Sequence, residues 1–241
     1  MTSYLEETAM LNYSEASIQS LINAQNWLNL SENERVKAIY NYVRNDVRFG
    51  YNFGGDTPTA SEVLAEGLGQ CNTKSTLVMA LLRGCGVPCR LRGSIIGNRL
   101  QKEAVGRLAY MFAPKNIIHT WVEVLYENRW VSMEGVIVDV PMLKSVQNKF
   151  SDVQGRFVGY AIATSCLSAP KVEWNGEDTF IQNEGIVEDY GCFDNPDDFY
   201  ATYGENLTGF RRWLYRNYVQ PRMNKNVAHI RGGGCGDASY S

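Results

Sequence analysis

The segment GLGQCNTKSTLVMALL, residues 67–82, gives the strongest local indication of how this chain folds. Its second half is apolar on every side of a helix, and such a helix is expected to lie buried in the middle of a domain. The glycines and the proline of RGCGVP, which follow at once, would end it. Cys71 would then stand in the first helical turn, where free backbone amides and the helix dipole stabilise an anion. The cysteine is therefore a candidate nucleophile as well as a candidate packing residue.

Helices are predicted before this segment and strands after it. Ser31 and Glu34 form a capping box, the pattern that begins a helix, and Thr59 with Glu62 repeats it. Beyond Pro88 the chain has short segments rich in β-forming residues, namely CRLRGSIIG, HTWVEVLY, RWVSMEG and VIVDV. Such segments, separated by turn residues, predict strands. Helices first and strands second predict the α+β class with a mostly antiparallel sheet.

The chain is expected to divide into three sections. Residues 1–140 would form the core with its N-terminal helices, and residues 141–230 a partly helical C-terminal extension packed on that core. Residues 231–241, rich in glycine, are predicted to be a flexible tail. Within the core, residues 98–116 are predicted to be a long surface loop and a candidate wall of a binding site. In the extension, NPDDFYATYG (195–204) has the Asn cap and early Pro that begin a helix.

The composition argues against several classes of protein. The 241 residues carry a net charge of −3, with a pI near 5.5, and so lack the basic excess that nucleic-acid or anionic-membrane binding needs. The N-terminus has acids where a signal peptide has basic residues, and no apolar run approaches the roughly 18 residues of a membrane span. We therefore expect a cytoplasmic protein that binds neither nucleic acid nor membrane. Its oligomeric state is left open.

The six cysteines are sparse for a chain of this length, and without an export signal they are expected to be reduced thiols. Cys85 and Cys89 have no matching pair of Cys or His residues nearby, so we expect no structural zinc site. Neither a metal nor an organic cofactor is predicted.

A nucleophilic Cys71 needs a base, and the chain offers two histidines. His229 lies beside the glycine-rich tail. His119 opens a predicted strand downstream of the Cys71 helix. We therefore predict that His119 is the base.

The predicted strand pairing adds a carboxylate. If HTWVEVLY and RWVSMEG form a hairpin, Tyr126 opposes Arg129 and, counting back, His119 opposes Val136. Glu134 is then the diagonal neighbour of His119 on the same face of the sheet. A carboxylate beside the imidazole would fix its tautomer and favour the imidazolium.

The same residues resemble the transglutaminase-like superfamily. The shared pattern is a glycine-flanked cysteine that opens a helix, an RxxGVPxR segment that leads into a strand, a His-x-Trp-x-Glu strand, and a Trp followed four residues later by an acid. The resemblance covers roughly residues 32–140. It implies a papain-like core with a triad on Cys71, His119 and Glu134.

The chain departs from that superfamily at the third position. The superfamily usually has aspartate there, often followed by proline, whereas this chain has Glu134-Gly135. Asp139 is the alternative acid, although regular pairing would place it on the other face of its strand.

These residues predict a thiol-dependent acyl-transfer enzyme that cleaves an amide or peptide bond. The Cys71 N–H would be the first oxyanion donor and Gln70 a second. The thioester would be resolved by water, as in a peptidase or amidase, or by an amine, as in a transglutaminase or amide synthase. Water is favoured, because nothing marks an amine site. The expected substrate is a peptide, a protein or a small amide.

The alternative from another class is a non-catalytic binding module that retains the fold. Lys74, one turn beyond Cys71, is expected to be a solvated surface residue.

Overall fold

The structure is a computed structural model, and it describes residues 2–105, 115–207 and 209–234. The helices that precede the main sheet are α1 (Ala16–Ala24), α2 (Glu32–Asn45), α3 (Ala60–Glu66) and α4 (Cys71–Gly84). Both predicted capping boxes, at Ser31 and Thr59, are formed. The short strands β1 (Arg48–Phe49) and β2 (Leu68–Gly69) pair in parallel just ahead of α4.

The strands beyond α4 form an antiparallel sheet and a small hairpin. They are β3 (Cys89–Gly97), β4 (Asn116–Tyr126), β5 (Arg129–Ser132), β6 (Phe157–Gly159), β7 (Ile162–Thr164) and β8 (Ile186–Phe193). The sheet has the order β5-β4-β3-β8, with every neighbouring pair antiparallel, while β6 pairs with β7. Helix α4 packs against β3 and β4. The predicted α+β class, with this helix on a mostly antiparallel sheet, is confirmed.

The predicted surface loop at residues 98–116 begins with helical structure. Asn98–Gln101 form a 3₁₀ helix, and Lys102–Val105 form α5. Residues 106–114 lie outside the described residues, and β4 begins at Asn116.

The prediction of a strand at VIVDV, residues 136–140, is wrong. Glu134–Val136 form a 3₁₀ turn, and α6 (Val140–Lys149) begins a few residues later. The Asp139 side chain accepts a hydrogen bond from the Met142 N–H and so caps α6, and a proline occupies its first turn. An N-cap with an early proline begins a helix whatever the β-propensity of the preceding valines.

The C-terminal extension supplies the edge strand β8, which the sequence pattern did not reveal. It pairs with β3 along Leu91–Ile96, and it follows directly on a 3₁₀ turn, Asn183–Gly185. Helix α7 (Pro196–Tyr203) begins at the predicted Asn195 cap. Helix α8 (Gly209–Leu214), a π-helical segment (Tyr215–Val219) and α9 (Gln220–Arg231) follow. The extension therefore completes the sheet of the core, and the division at residue 140 stays a prediction.

Two features of the described chain bear on its ends and its surroundings. The tail predicted for residues 231–241 lies outside the described residues from Cys235 onward. Among the residues that are described, no helix combines the length and the apolar character needed to cross a lipid bilayer.

Gly93 in β3 tests how the extension packs on the core. Phe199 on α7 is fully buried, and a Cβ at Gly93 would collide with its ring. A Cβ at Gly97, in the same strand, would meet nothing within 4 Å. We expect Gly93→Ala to lower the free energy of unfolding by about 1–3 kcal/mol, as overpacking does. Gly97→Ala, the matched control, should change it by less than about 0.5 kcal/mol. Equal urea midpoints for the two variants would show that Phe199 does not pack on β3.

Candidate active site

Cys71 is the first residue of α4 and is 2% exposed. The preceding residue, Gln70, caps the helix: its side-chain oxygen accepts the Asn72 N–H at 3.0 Å, and its own N–H donates to Thr73 Oγ1 at 3.0 Å. Gly69 lies so close to this first turn that a Cβ there would come within 2.9 Å of Thr73 Oγ1. Gly69, two residues before Cys71, is therefore needed because a larger residue would not fit against the first turn of α4.

His119 and Glu134 form a buried pair. His119 Nε2 lies 2.8 Å from Glu134 Oε1, and both side chains are essentially inaccessible to solvent. The other carboxylate oxygen, Oε2, accepts three backbone N–H groups, at 2.9–3.1 Å, from Ile181, Gln182 and Asn183. These bonds hold the carboxylate so that its free oxygen meets the imidazole.

The predicted hairpin register is correct, but Glu134 does not reach His119 as a strand residue. Tyr126 pairs with Arg129 as expected, and β5 ends at Ser132. The 3₁₀ turn that begins at Glu134 then carries the carboxylate to the ring.

The electrostatics couple this pair to Cys71. Burial by itself lowers the pKa of His119, but the negative charge of a Cys71 thiolate, together with the Glu134 carboxylate, outweighs it and raises that pKa to about 10. Glu134 holds Nε2, whereas the buried Nδ1 has no hydrogen-bond partner among the described residues and is therefore the nitrogen left for the thiol proton. A free imidazole has a pKa of about 6.5, so below that pH the charged ring contributes its full share to the stability of the folded protein. This contribution is lost as the pH rises through about 10.

The alternative acid, Asp139, is held elsewhere. It forms a two-point ion pair with Arg231 of α9, at 2.7 and 3.0 Å, and accepts the Phe49 N–H at 2.7 Å. Burial raises the pKa of Asp139, but Arg231 and the Phe49 N–H more than compensate and hold it below its usual range. The structure thus brings Glu134, not Asp139, against the imidazole.

Gln70 does not stand as an oxyanion donor. Its oxygen lies 2.9 Å from Cys71 Sγ and would accept the proton of a protonated thiol, while its amide nitrogen donates to Asp56 Oδ1 at 2.9 Å. The Asn72 N–H and Asp56 fix this orientation of the carboxamide. The same oxygen would repel a thiolate, so the contact belongs to the protonated form of Cys71.

The expectation that Lys74 is a surface residue is wrong. Lys74 is fully buried, and its Nζ donates to the carbonyls of Arg44 and Val136, at 3.1 Å each. Burial lowers the pKa of Lys74 to about 7, against an opposing effect of Asp139. Because Val136 belongs to the turn of Glu134, Lys74 ties that turn to the helix of Cys71.

Sequence reasoning missed several polar residues around the sulfur. Asp56 and Asn72 are buried and hydrogen-bonded to each other, and Asn206 of the extension bonds to both Asp56 and β4. Tyr51 is buried and its hydroxyl has no hydrogen-bond partner among the described residues; burial together with the charge of Cys71 raises its pKa. One signal was available: a polar Asn72 inside a buried helix must find partners. Asp56 and Asn206 lie in loops whose composition predicts only turns.

Among the described residues, no group of three or more His, Cys, Asp or Glu side chains is placed to hold a metal ion. The five cysteines in this part of the chain are all unpaired.

Comparison with known proteins identifies the segment that carries this site. Residues 23–135 match the family described as the transglutaminase-like superfamily. This segment belongs to the transglutaminase-like superfamily. The transglutaminase-like segment contains Cys71, His119 and Glu134, so the resemblance predicted from the sequence is confirmed.

A similar solved structure is described as that of "a Putative Cysteine Protease from Cytophaga hutchinsonii". It is 13% identical to this chain with a TM-score of 0.47, and the alignment covers 82% of this chain and 48% of that one. This chain thus spans about half the length of that protein. No curated protein matches the chain.

The two acids are expected to fail in different ways when each is replaced by its amide. In Glu134→Gln the oxygen can still accept the three backbone N–H groups, but the amide then faces Nε2 and cannot stabilise a charged imidazole. Alkylation of Cys71 by iodoacetamide at pH 6 should therefore slow. The rate should fall about tenfold for each 1.4 kcal/mol by which the variant stabilises the charged imidazole less. Asp139→Asn should instead lower the free energy of unfolding by about 1–3 kcal/mol and leave the alkylation rate unchanged.

This comparison needs a background without competing thiols. Cys166 is half-buried, and the Ser168 hydroxyl lowers the pKa of its thiol, while Cys192 is exposed. Both, and Cys235, are therefore replaced by serine, and this protein is the three-serine background. A rate that falls with Asp139→Asn and not with Glu134→Gln would reverse the assignment of the acid.

Proposed function

We propose that the protein is a thiol-dependent acyl-transfer enzyme that cleaves an amide or peptide bond. The observation that supports the proposal is that Asn72, next to Cys71 at the N-terminus of α4, bonds to the backbone on both sides of His119, whose ring meets the fixed carboxylate of Glu134. A cysteine, a base within reach and an acid that orients the base are the parts that nucleophilic catalysis requires.

Acylation begins from the ion pair in which the thiol proton of Cys71 has passed to His119 Nδ1. The sulfur of Cys71 attacks the carbonyl carbon of the substrate, and a tetrahedral oxyanion forms. The protonated imidazole then gives its proton to the departing amine nitrogen, the carbon–nitrogen bond breaks and a thioester remains. Throughout, Glu134 holds the ring by Nε2 and stabilises its positive charge.

The oxyanion is stabilised by the N-terminus of α4. The Cys71 N–H, at the first position of the helix, has no acceptor within the described part of the chain. A free amide at the positive end of a helix is suited to a developing negative charge. Gln70 contributes by shaping the first turn and not, in this conformation, by donating.

Deacylation by water reverses these roles. His119 takes a proton from a water molecule as its oxygen attacks the thioester carbon, and the sulfur leaves as the acid product forms. Hydrolysis is favoured over transfer to an amine because no second, amine-binding site is evident in the sequence. The substrate is a peptide, a protein or a small amide.

A product assay separates these reactions. The protein is incubated with peptides from a proteome digest and with the primary amine biotin-pentylamine, and the products are read by mass spectrometry. Hydrolysis should create new carboxyl and amino termini or convert side-chain amides to acids, whereas transamidation should add the biotin label. Cys71→Ala should abolish either product, and His119→Ala should reduce it about 10²–10⁴-fold, the usual effect of losing a general base.

His229→Ala is the matched control and should retain full activity, because His229 is exposed on α9. Products that persist in Cys71→Ala would contradict the proposal. A wild-type protein that forms no product, and whose Cys71 reacts with iodoacetamide no faster than the buried Cys85, would identify a non-catalytic binding module instead.

A further inference from the structure

Within the described part of the chain, the segment of β4 that carries His119 has no strand partner on one of its edges. On one side β4 pairs with β3 from Asn116 to Val124, but on the other side β5 covers only Glu123–Tyr126. The backbone groups of Ile118 and Thr120, which flank His119, face this uncovered edge. Buried backbone N–H and C=O groups must nevertheless be hydrogen-bonded.

Polar side chains take the place of the missing strand. Asn72 donates to the Ile118 carbonyl at 3.1 Å and accepts the Thr120 N–H at 3.0 Å. The Ile118 N–H donates to Asn206 Oδ1 at 2.9 Å, and the Thr120 carbonyl accepts the Ser75 hydroxyl at 3.1 Å. The residue directly after Cys71 therefore grips the backbone on both sides of His119.

A single carboxylate anchors this arrangement. Asp56 Oδ1 accepts both the Gln70 and the Asn72 side-chain amides, at 2.9 Å each, and Asp56 Oδ2 accepts the Asn206 N–H at 2.9 Å. Asp56 thus fixes the residues on either side of Cys71 and also the segment of the extension that reaches β4. Asp56 and Asn72 are buried, which makes each lost bond costly.

We propose that Asp56, Asn72 and Asn206, named here the β4 clamp, are positioning residues that set the distance between Cys71 Sγ and the His119 ring. The inference rests on the proposed function and deepens it. In this arrangement the nucleophile and its base belong to separate elements, and the clamp joins them directly. It also gives the C-terminal extension a role in the reaction, because Asn206 supplies one of the bonds.

The test uses the pH profile of Cys71 alkylation by iodoacetamide, which needs no knowledge of the substrate. A free cysteine, with a pKa of about 8.5, reacts little at pH 6. Cys71 paired with His119 should keep reacting there. In the three-serine background, Asp56→Asn and Asn72→Ala should each reduce the rate at pH 6 by about tenfold, because a sulfur set farther from the imidazolium loses stabilisation of its thiolate. The rate at pH 9, where a free thiol also ionises, should fall much less.

Asp139→Asn is the matched control, since Asp139 is also a buried carboxylate and holds Arg231, the last residue of α9. It should keep the wild-type profile even though it is less stable. Thermal unfolding of each variant shows whether it is folded during the assay. Should Asp56→Asn and Asn72→Ala fail to fold, Asn206→Ala removes the Ile118 bond from a half-buried position and should give the same change in smaller size.

The possible results distinguish a failure of the positioning role from a failure of the proposed function. Folded clamp variants with the full wild-type profile would overturn the positioning role, as would an unchanged profile in Asn206→Ala if only that variant folds. A loss of equal size in Asp139→Asn would mean that any weakening of the fold has this effect, which also overturns it. A wild-type Cys71 that is unreactive at pH 6 would instead count against the proposed function itself.

Discussion

The contact between the first turn of α4 and the uncovered edge of β4 is the constraint on which the site depends. Cys71 is on the helix and His119 on the strand, and neither element alone places the sulfur near the ring. The Asn72 side chain bridges the two with bonds to Ile118 and Thr120. Glu134 then needs only to meet the opposite nitrogen of the imidazole, which the bonds to its second oxygen ensure.

Ionisable side chains around this contact hold the surrounding elements together. Lys74 ties α4 to the end of α2 and to the turn of Glu134, and the pair of Asp139 with Arg231 ties α9 to β1 and α6. A buried charge is stable only when its hydrogen bonds are satisfied, so each of these groups specifies one arrangement of its neighbours. The C-terminal extension is therefore bound to the core by polar contacts as well as by β8.

The catalytic candidates could be found from the sequence because their signals are local. A cysteine at the start of an apolar helix, a histidine at the start of a strand and a two-residue hairpin turn each occupy a short window, and the hairpin register placed Glu134 close to His119. The remaining features depend on partners far along the chain. Asp56 meets Asn206, and Lys74 meets Val136, only after folding. A lysine in a helix predicts exposure unless the partners that bury it are known.

We propose that the resting protein holds Cys71 and His119 as a thiolate–imidazolium pair, with the thiol proton on the imidazole. The alternative resting state keeps that proton on the sulfur, donated to the Gln70 oxygen. Nitrogen NMR of the imidazole decides between them, and His229→Gln leaves His119 as the single histidine in the chain. We expect His119 to stay protonated until the pH approaches about 10, and Cys71→Ala to lower its pKa because the nearby thiolate charge is then removed. An imidazole that is neutral at pH 7.5, or a pKa that Cys71→Ala leaves unchanged, would contradict this proposal.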